Sequence, residues 1–364
     1  MKKIVILYPA HYEQSMGGAE MQIKYFIRAC RQVGHEVHYI YENKGKIIKN
    51  EEGIILHPMS KISTIKFCSK GWFLYRNKIN QILNEIKPDV IYTRLANSWI
   101  YFAAIYAQKN GIKHLHFVAS DKSLDFKVNF LFQPILTSTE LYYINKGLKT
   151  AKTIITQNKY QQKKLLDRFG KCGIRINQMT ESIDASHIVK NDQVLTIVWI
   201  ANLKAIKQPE LFVELAQKLS SYSSQIKMVM CGRFAPSYDI LLSKIRDIEH
   251  LEYRGELKQE DVFDLLEESD VLINTSVFEG FSNTFVQAWM RKNIVLSLNS
   301  NPDDILTTYN VGFLLPSVDL MKEKIVEMLE ERDKLRNMQK DAYDYVIQNH
   351  GIEKCMNELM NILK

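Results

Sequence analysis

The chain has 364 residues, 46% of them hydrophobic and 24% charged, the balance of a globular protein with room for two large cores. Five scattered cysteines (Cys30, Cys68, Cys172, Cys231, Cys355) with no CxxC pair argue against a disulfide framework, and no apolar run is long enough to span a membrane. The net charge of +7 is unevenly spread: residues 1–185 hold 28 Lys/Arg against 14 Asp/Glu, and residues 186–364 hold 20 against 27. That split predicts that the first half meets something anionic, a membrane surface or a phosphorylated acceptor; plain drift in surface composition is the alternative.

The chain opens with two lysines and an apolar run, but Ile4–Leu7 is too short for a leader. Lys3–Tyr8 is predicted to be a buried first strand. A loop with Gly17-Gly18 follows, then an amphipathic helix over Ala19–Val33 ended by Gly34, then a strand at Glu36–Tyr41. This is a βαβ opening without the GxGxxG of a nicotinamide fingerprint. Residues 44–80 mix lysines and aromatics (Lys61, Lys66, Phe67, Lys70, Trp72, Phe73, Tyr75, Arg76, Lys78). They read as a patch for anionic lipid or, better, as an amphipathic helix with its aromatics turned inward. Strands are expected at Val90–Thr93, Leu115–Ala119 and Lys152–Thr156, with helices at Trp99–Ala107 and Tyr160–Phe169 ended by Gly111 and Gly170.

Residues 177–193 are polar and aperiodic and mark the linker. A second α/β alternation begins at Val194–Ile200. It continues through a helix from Pro209, strands Ile226–Cys231 and Leu251–Arg254, a helix over Gln259–Glu268, and strand Val271–Ile273. After that strand comes Glu279-Gly280-Phe281-Ser282-Asn283, then the apolar run to Met290. A strand, a short Gly loop and a helix start place backbone N–H groups where an anion can bind, with a carboxylate beside them for hydroxyls. Strands Asn293–Ser297 and Gly312–Leu315 and a charged helical tail over 319–364 complete the chain. Three divisions are expected: 1–185, 186–345, and a final helix, 346–364, packing back toward the first domain.

The two halves together resemble the family-4 glycosyltransferases of the GT-B fold, over nearly the whole chain. The resemblance is carried by Gly17-Gly18-Ala19-Glu20 after strand one, by Ile200–Leu203 through Lys207–Leu211, and by Glu279 through Gln287 on the family's E-x7-E motif. The stretch Val277–Pro302 is similar to a subgroup that decorates bacterial surface glycans. It implies an α/β fold with two Rossmann-like parallel-sheet domains facing a cleft, the first for the acceptor and the second for a nucleotide sugar. Lys207 matches the residue that contacts the donor diphosphate, a fixed cation where leaving-group charge develops. Glu279 matches the acid on the donor-sugar hydroxyls. Gly280, Phe281, Ser282, Asn283 and Thr284 would offer the loop and helix start to the sugar-phosphate.

The sequence departs from the family at three places. Asn202 stands where the motif usually has Arg, so Lys204 or Arg233 would supply a second charge. Gln287 replaces the second Glu, expected on the ribose, and still offers a carbonyl acceptor. Ser120 replaces the His of a His-Asp pair; Asp121 would orient donor sugar or acceptor hydroxyl, or is a surface loop acid. His116 fits a packed strand residue better than a catalyst. Arg254 would stack on the base or cover the surface, with Gly255 on the base's path. No D-x-D occurs, so the expectation is a metal-independent, cofactor-free enzyme.

The resemblance implies a retaining transfer from a nucleotide sugar, UDP-hexose or UDP-N-acetylhexosamine favoured, to a glycan or lipid-linked glycan hydroxyl in surface polysaccharide synthesis. The expected setting is cytoplasmic, peripheral on the inner membrane face, with no nucleic-acid partner. A GT-B sugar-nucleotide epimerase and a degenerate donor-binding scaffold are the competing readings.

Overall fold

A computed structural model describes the chain except residues 15–16, 63–70, 129–133, 235–237 and 364. Lys66, Phe67 and Lys70 of the basic-aromatic stretch therefore lie outside the described residues. The chain divides into two compact units, Met1–Met179 with Ile352–Lys364, and Thr180–Gly351. Each is a Rossmann-like parallel sheet covered by helices on both faces.

The first sheet comprises β1 (Lys3–Leu7), β2 (Glu36–Asn43), β3 (Ile55–Ser60), β4 (Val90–Arg94), β5 (Lys113–Phe117), β6 (Thr153–Thr156) and β7 (Ile174–Arg175). Its order is β3-β2-β1-β4-β5-β6-β7, with every pair parallel. Residues alternate between faces along β1. Ile4 and Ile6 pack with Ile23, Phe26 and Ile27 of α1 (Gly18–Gln32), while Val5 and Leu7 join the helices over 76–86 and 99–110 on the other side. Each such fully buried side chain contributes roughly 1.5–3 kcal/mol of burial. Gly111 and Gly170 end their helices in the left-handed region, as their sequence positions predict. The last helix, Ile352–Leu363, seats Cys355, Met356, Leu359 and Leu363 in the core beneath α1.

The segment 44–80 departs from the predicted amphipathic helix. It contains edge strand β3, in which Pro58 is tolerated because an edge leaves its missing N–H unneeded. A 3-10 turn, Trp72–Tyr75, and a helix, Arg76–Ile86, follow the undescribed residues. The aromatics do turn inward: Tyr75 is buried, and Phe73 stacks on Tyr143.

The second sheet comprises β8 (Leu195–Ile200), β9 (Ile226–Cys231), β10 (Leu251–Tyr253), β11 (Val271–Asn274), β12 (Ile294–Ser297) and β13 (Gly312–Leu314), in the order β10-β9-β8-β11-β12-β13. The tail read as one charged helix is broken at Glu331 and Gly351 into Val318–Glu330, Arg332–His350 and the first unit's last helix. In both sheets, chain order reverses at one place: between β1 and β4, and between β8 and β11. Such switch points leave a crevice at the carboxyl ends of the strands. Among the described residues, no helix is long and apolar enough to cross a membrane.

Candidate functional site

At the switch point of the second unit, β8 runs into Ala201–Lys204 and a 3-10 turn, Ala205–Lys207. Gln208 then adopts φ +44°, the left-handed region, immediately before Pro209 starts the next helix. A non-glycine residue in that conformation is strained, and here it turns the chain sharply behind Lys207. Strand β11 feeds Thr275–Phe281 and α9 (Asn283–Met290), which follows α2 (Arg76–Ile86), α3 (Trp99–Asn110), α4 (Ile135–Thr150) and α5 (Lys159–Phe169) of the first unit and α6 (Pro209–Lys218), α7 (Asp239–Arg246) and α8 (Gln259–Glu268) of the second.

These two connections meet. The Lys207 ammonium forms an ion pair with Glu279 Oε1, although 72 positions separate them. Glu279 Oε1 also accepts from Ser276 Oγ at 2.9 Å, and its carbonyl accepts from Ser300 Oγ at 3.2 Å. The turn carrying Lys207 is held from beneath. Thr275 Oγ1 donates to the Lys207 carbonyl at 2.6 Å while accepting from Trp199 Nε1 at 2.8 Å, and Val277 N–H donates to the Ile206 carbonyl at 2.9 Å. Thr275, Ser276, Asn299, which donates to the Ser276 carbonyl at 3.2 Å, and Ser300 brace this loop by hydrogen bonds that sequence reasoning missed. Their only signal was the density of small hydroxyl and amide residues at the ends of β11 and β12.

Ser282 is the N-cap by backbone angle, but its hydroxyl pairs with Thr284 Oγ1 at 2.8 Å and does not cap the helix. Phe281 turns its ring into the core against Trp289 and His350. Gln287 is buried on α9. The Asn202 side chain accepts from Arg233 N–H at 3.1 Å and so ties the β8 and β9 loops together. Arg233 is engaged by Glu256 through two hydrogen bonds of 2.9 and 2.6 Å, and Arg254 by Glu252 through two of 3.0 Å. Lys204 stands exposed beside them. Gly280 lies in the loop between Glu279 and α9. Gly255 has φ +71°, and its carbonyl accepts from Gly232 N–H at 2.8 Å.

In the first unit, Gly17 is extended and needs no glycine for its backbone angles. A Cβ there would instead lie 2.8 Å from the Glu20 carboxylate, which folds back over it and accepts from the Tyr8 hydroxyl at 2.8 Å. Gly18 begins α1. The surface-acid alternative for Asp121 fails: it is 3% exposed, and its Oδ1 accepts from Asn158 Nδ2 at 3.2 Å and Gln161 Nε2 at 2.7 Å. His116 is buried beside Thr93 Oγ1 at 3.0 Å, and desolvation holds its ring neutral far below the usual histidine range.

Family comparison agrees with the geometry. The description Glycosyltransferase Family 4 matches residues 16–178, and Glycosyl transferases group 1 matches 181–345. No curated protein matches in sequence. Among solved structures, a glycosyltransferase from Rickettsia africae ESF-5 is 18% identical, with a TM-score of 0.78 over 100% of this chain and 98% of that one. HepE from Anabaena, in complex with UDP and glucose, is 14% identical, with a TM-score of 0.73 over 100% and 99%. A TarM variant from S. aureus, in complex with Fondaparinux, alpha-GlcNAc-glycerol and UDP, is 11% identical, with a TM-score of 0.72 over 100% of both chains.

Proposed function

Because this chain belongs to the family-4 glycosyltransferases of the GT-B fold, we propose that it moves a hexose or N-acetylhexosamine, with retained configuration, from a UDP-sugar to a hydroxyl of a glycan or lipid-linked glycan. The observation that carries this reading is the meeting of Lys207 and Glu279 at the switch point of the second sheet. A cation and a carboxylate side by side, next to the loop that starts α9, suit a ligand with phosphates at one end and hydroxyls at the other. HepE with UDP and glucose, and TarM with UDP, support a uridine nucleotide.

On donor binding the Lys207–Glu279 pair opens. Lys207 moves to the diphosphate, where charge grows as the bond from the anomeric carbon to the phosphate oxygen breaks. Glu279, steadied by Ser276, accepts from sugar hydroxyls. The acceptor oxygen attacks from the side the phosphate leaves, and its proton passes to a phosphate oxygen. Protein cations and helix N–H groups take the electrostatic role that a metal plays elsewhere. Product analysis with UDP-sugar and a lipid-linked acceptor tests the reading. A new glycoside with retained configuration supports it, whereas an altered free sugar nucleotide shows epimerisation and binding without turnover shows a scaffold.

We further propose that the first unit docks on the anionic inner face of the cell membrane, in surface polysaccharide synthesis. The helix Lys159–Phe169 exposes Lys159, Lys163 and Arg168 together with Tyr160 and Leu166, the mixture that suits a charged interface. Binding to vesicles of anionic lipid should fall steeply with salt; salt-independent binding would remove this part of the proposal.

A further inference from the structure

The geometry points to Arg94 as an anion-recognition residue on the acceptor side, selecting an acceptor that carries an oxyanion, carboxylate or phosphate. The inference rests on the transferase reading, which gives the donor to the second unit.

Arg94 ends β4 and is 2% exposed. A guanidinium so enclosed loses its hydration, and a carboxylate normally offsets that loss. Among the described residues none pairs with it. Its Nη1 reaches the Tyr92 hydroxyl at a long 3.4 Å, its carbon lies 5.7 Å from the Phe117 ring centroid, and its Nε has no acceptor. The acid on the same side of the sheet, Glu20, is committed to the Tyr8 hydroxyl at 2.8 Å. Arg233 and Arg254, by contrast, are each matched to a carboxylate.

Its place is as informative as its solitude. Strands β1 and β4 flank the switch point of the first sheet. Tyr92 and Arg94 share the face that Ile4, Ile6 and Tyr8 present to α1. The equivalent strand ends of the second sheet, after β8 and β11, lead to Lys207 and Glu279. Leu95, next in the chain, holds φ +67°, a conformation that a leucine keeps only where its surroundings impose it. The cluster has a wet side, because Glu20 is half-buried and Gly17 and Gly18 are exposed. An arginine supplies a planar fork and a permanent charge, which fit a carboxylate or phosphate in two parallel hydrogen bonds and gain little from neutral hydroxyls. Glu20, bonded to the Tyr8 hydroxyl of the neighbouring strand, suits a hydroxyl of the same acceptor.

The test is calorimetric titration of the full chain with methyl β-glucuronide, with glycerol 1-phosphate, and with methyl β-glucoside as the neutral control. At least one anion should bind tenfold or more tightly than the glucoside, and which one does so distinguishes carboxylate from phosphate. Arg94→Met should abolish the preference and Arg94→Lys should keep part of it. Thermal unfolding certifies each variant as folded, and should Arg94→Met melt well below the parent, Arg94→Gln takes its place. UDP titration of the same samples reports on the second unit alone, and absent UDP binding in the parent chain would sink the donor reading separately. Failure of both anions to bind, equal binding of anion and glucoside, or a preference that survives loss of the charge overturns the proposal.

Discussion

Gly232 closes the turn after β9, and a side chain there has nowhere to go. A Cβ built on it would lie 1.6 Å from the Ala201 carbonyl oxygen and 2.5 Å from its carbon. Non-bonded heavy atoms rest about 3.5 Å apart, so the Ala201 backbone would have to retreat by roughly 2 Å. Four hydrogen bonds resist: Ala201 N–H to the Cys231 carbonyl (3.0 Å), Leu203 N–H to the Arg233 carbonyl (3.0 Å), Gly232 N–H to the Gly255 carbonyl (2.8 Å), and the Tyr253 hydroxyl to the Gly232 carbonyl (2.7 Å). Losing three of them at about 1 kcal/mol each, plus about 2 kcal/mol for a side chain at φ +149°, makes Gly232→Ala costly by roughly 5 kcal/mol. For a unit of this size, that is a fall of about 10–20 °C in melting temperature. UDP affinity should fall as well, because the displaced backbone leads directly to Lys207. Gly255→Ala is the control: its φ is +71° but no atom lies within 4 Å of the added carbon, so only the left-handed strain of about 1–2 kcal/mol applies. Thermal unfolding, hydrogen exchange over residues 195–256 and UDP titration measure both. A Gly232→Ala protein melting within about 3 °C of the parent and binding UDP normally would refute the reasoning, as would equal damage at Gly255.

In the proposed donor site, Glu279→Gln should lower turnover by about 10²-fold or more while unfolding behaviour changes little, and Lys207→Met should do the same with weaker UDP binding; the double variant should be no worse than the poorer single one if, as proposed, the two act on one ligand. Acid should destabilise the first unit. His11 (pushed down to about 4), His114 (down to about 3) and His116 are desolvated and neutral when folded, whereas the unfolded chain protonates them below about 6.5. The unfolded state then holds more protons, so stability is full above pH 6.5 and falls as pH drops toward 4, and His114→Asn should flatten that slope in unfolding measured from pH 7 to 4. Lys190 caps the carbonyls of Leu266, Glu267 and Ser269 at the end of a helix, and burial lowers its ammonium to about 7. The folded state sheds a proton that the unfolded chain keeps to about 10.4, so stability should rise from pH 7 to 9, and the rise should vanish in Lys190→Met.

The central strands of both sheets were legible because parallel strands covered on both faces are continuous apolar runs, as in Ile4–Leu7 and Val271–Ile273. The edges were not. Strand β3 has exposed positions and a proline, β7 has only two residues, and neither has a period to read. Asp121 was visible as an acid after a strand. Its burial against Asn158 and Gln161 depends on a helix start nearly forty positions on, which no local pattern reveals.

The candidate cations show most clearly where sequence reasoning ran short. Lys207 was read as the diphosphate cation of the family motif, Lys204 or Arg233 as a second charge, and Arg254 as stacking on the base or covering the surface. Three of the four are matched in the fold by Glu279, Glu256 and Glu252, and a matched charge attracts a ligand only if the ligand outcompetes its partner. The exposed pairs of Arg233 and Arg254 are worth little and yield easily, but they leave no unmet demand to pull a ligand in. On the proposed reading the Lys207–Glu279 pair is different, because its two members would take different parts of one donor, so breaking it would leave neither charge alone. Arg94 went unread for the opposite reason: it ends an apolar run and passes for the last residue of a strand. Availability is set by pairing, and pairing is a property of the fold. Arg94, a buried cation without a carboxylate among the described residues, was therefore one that the sequence disguised.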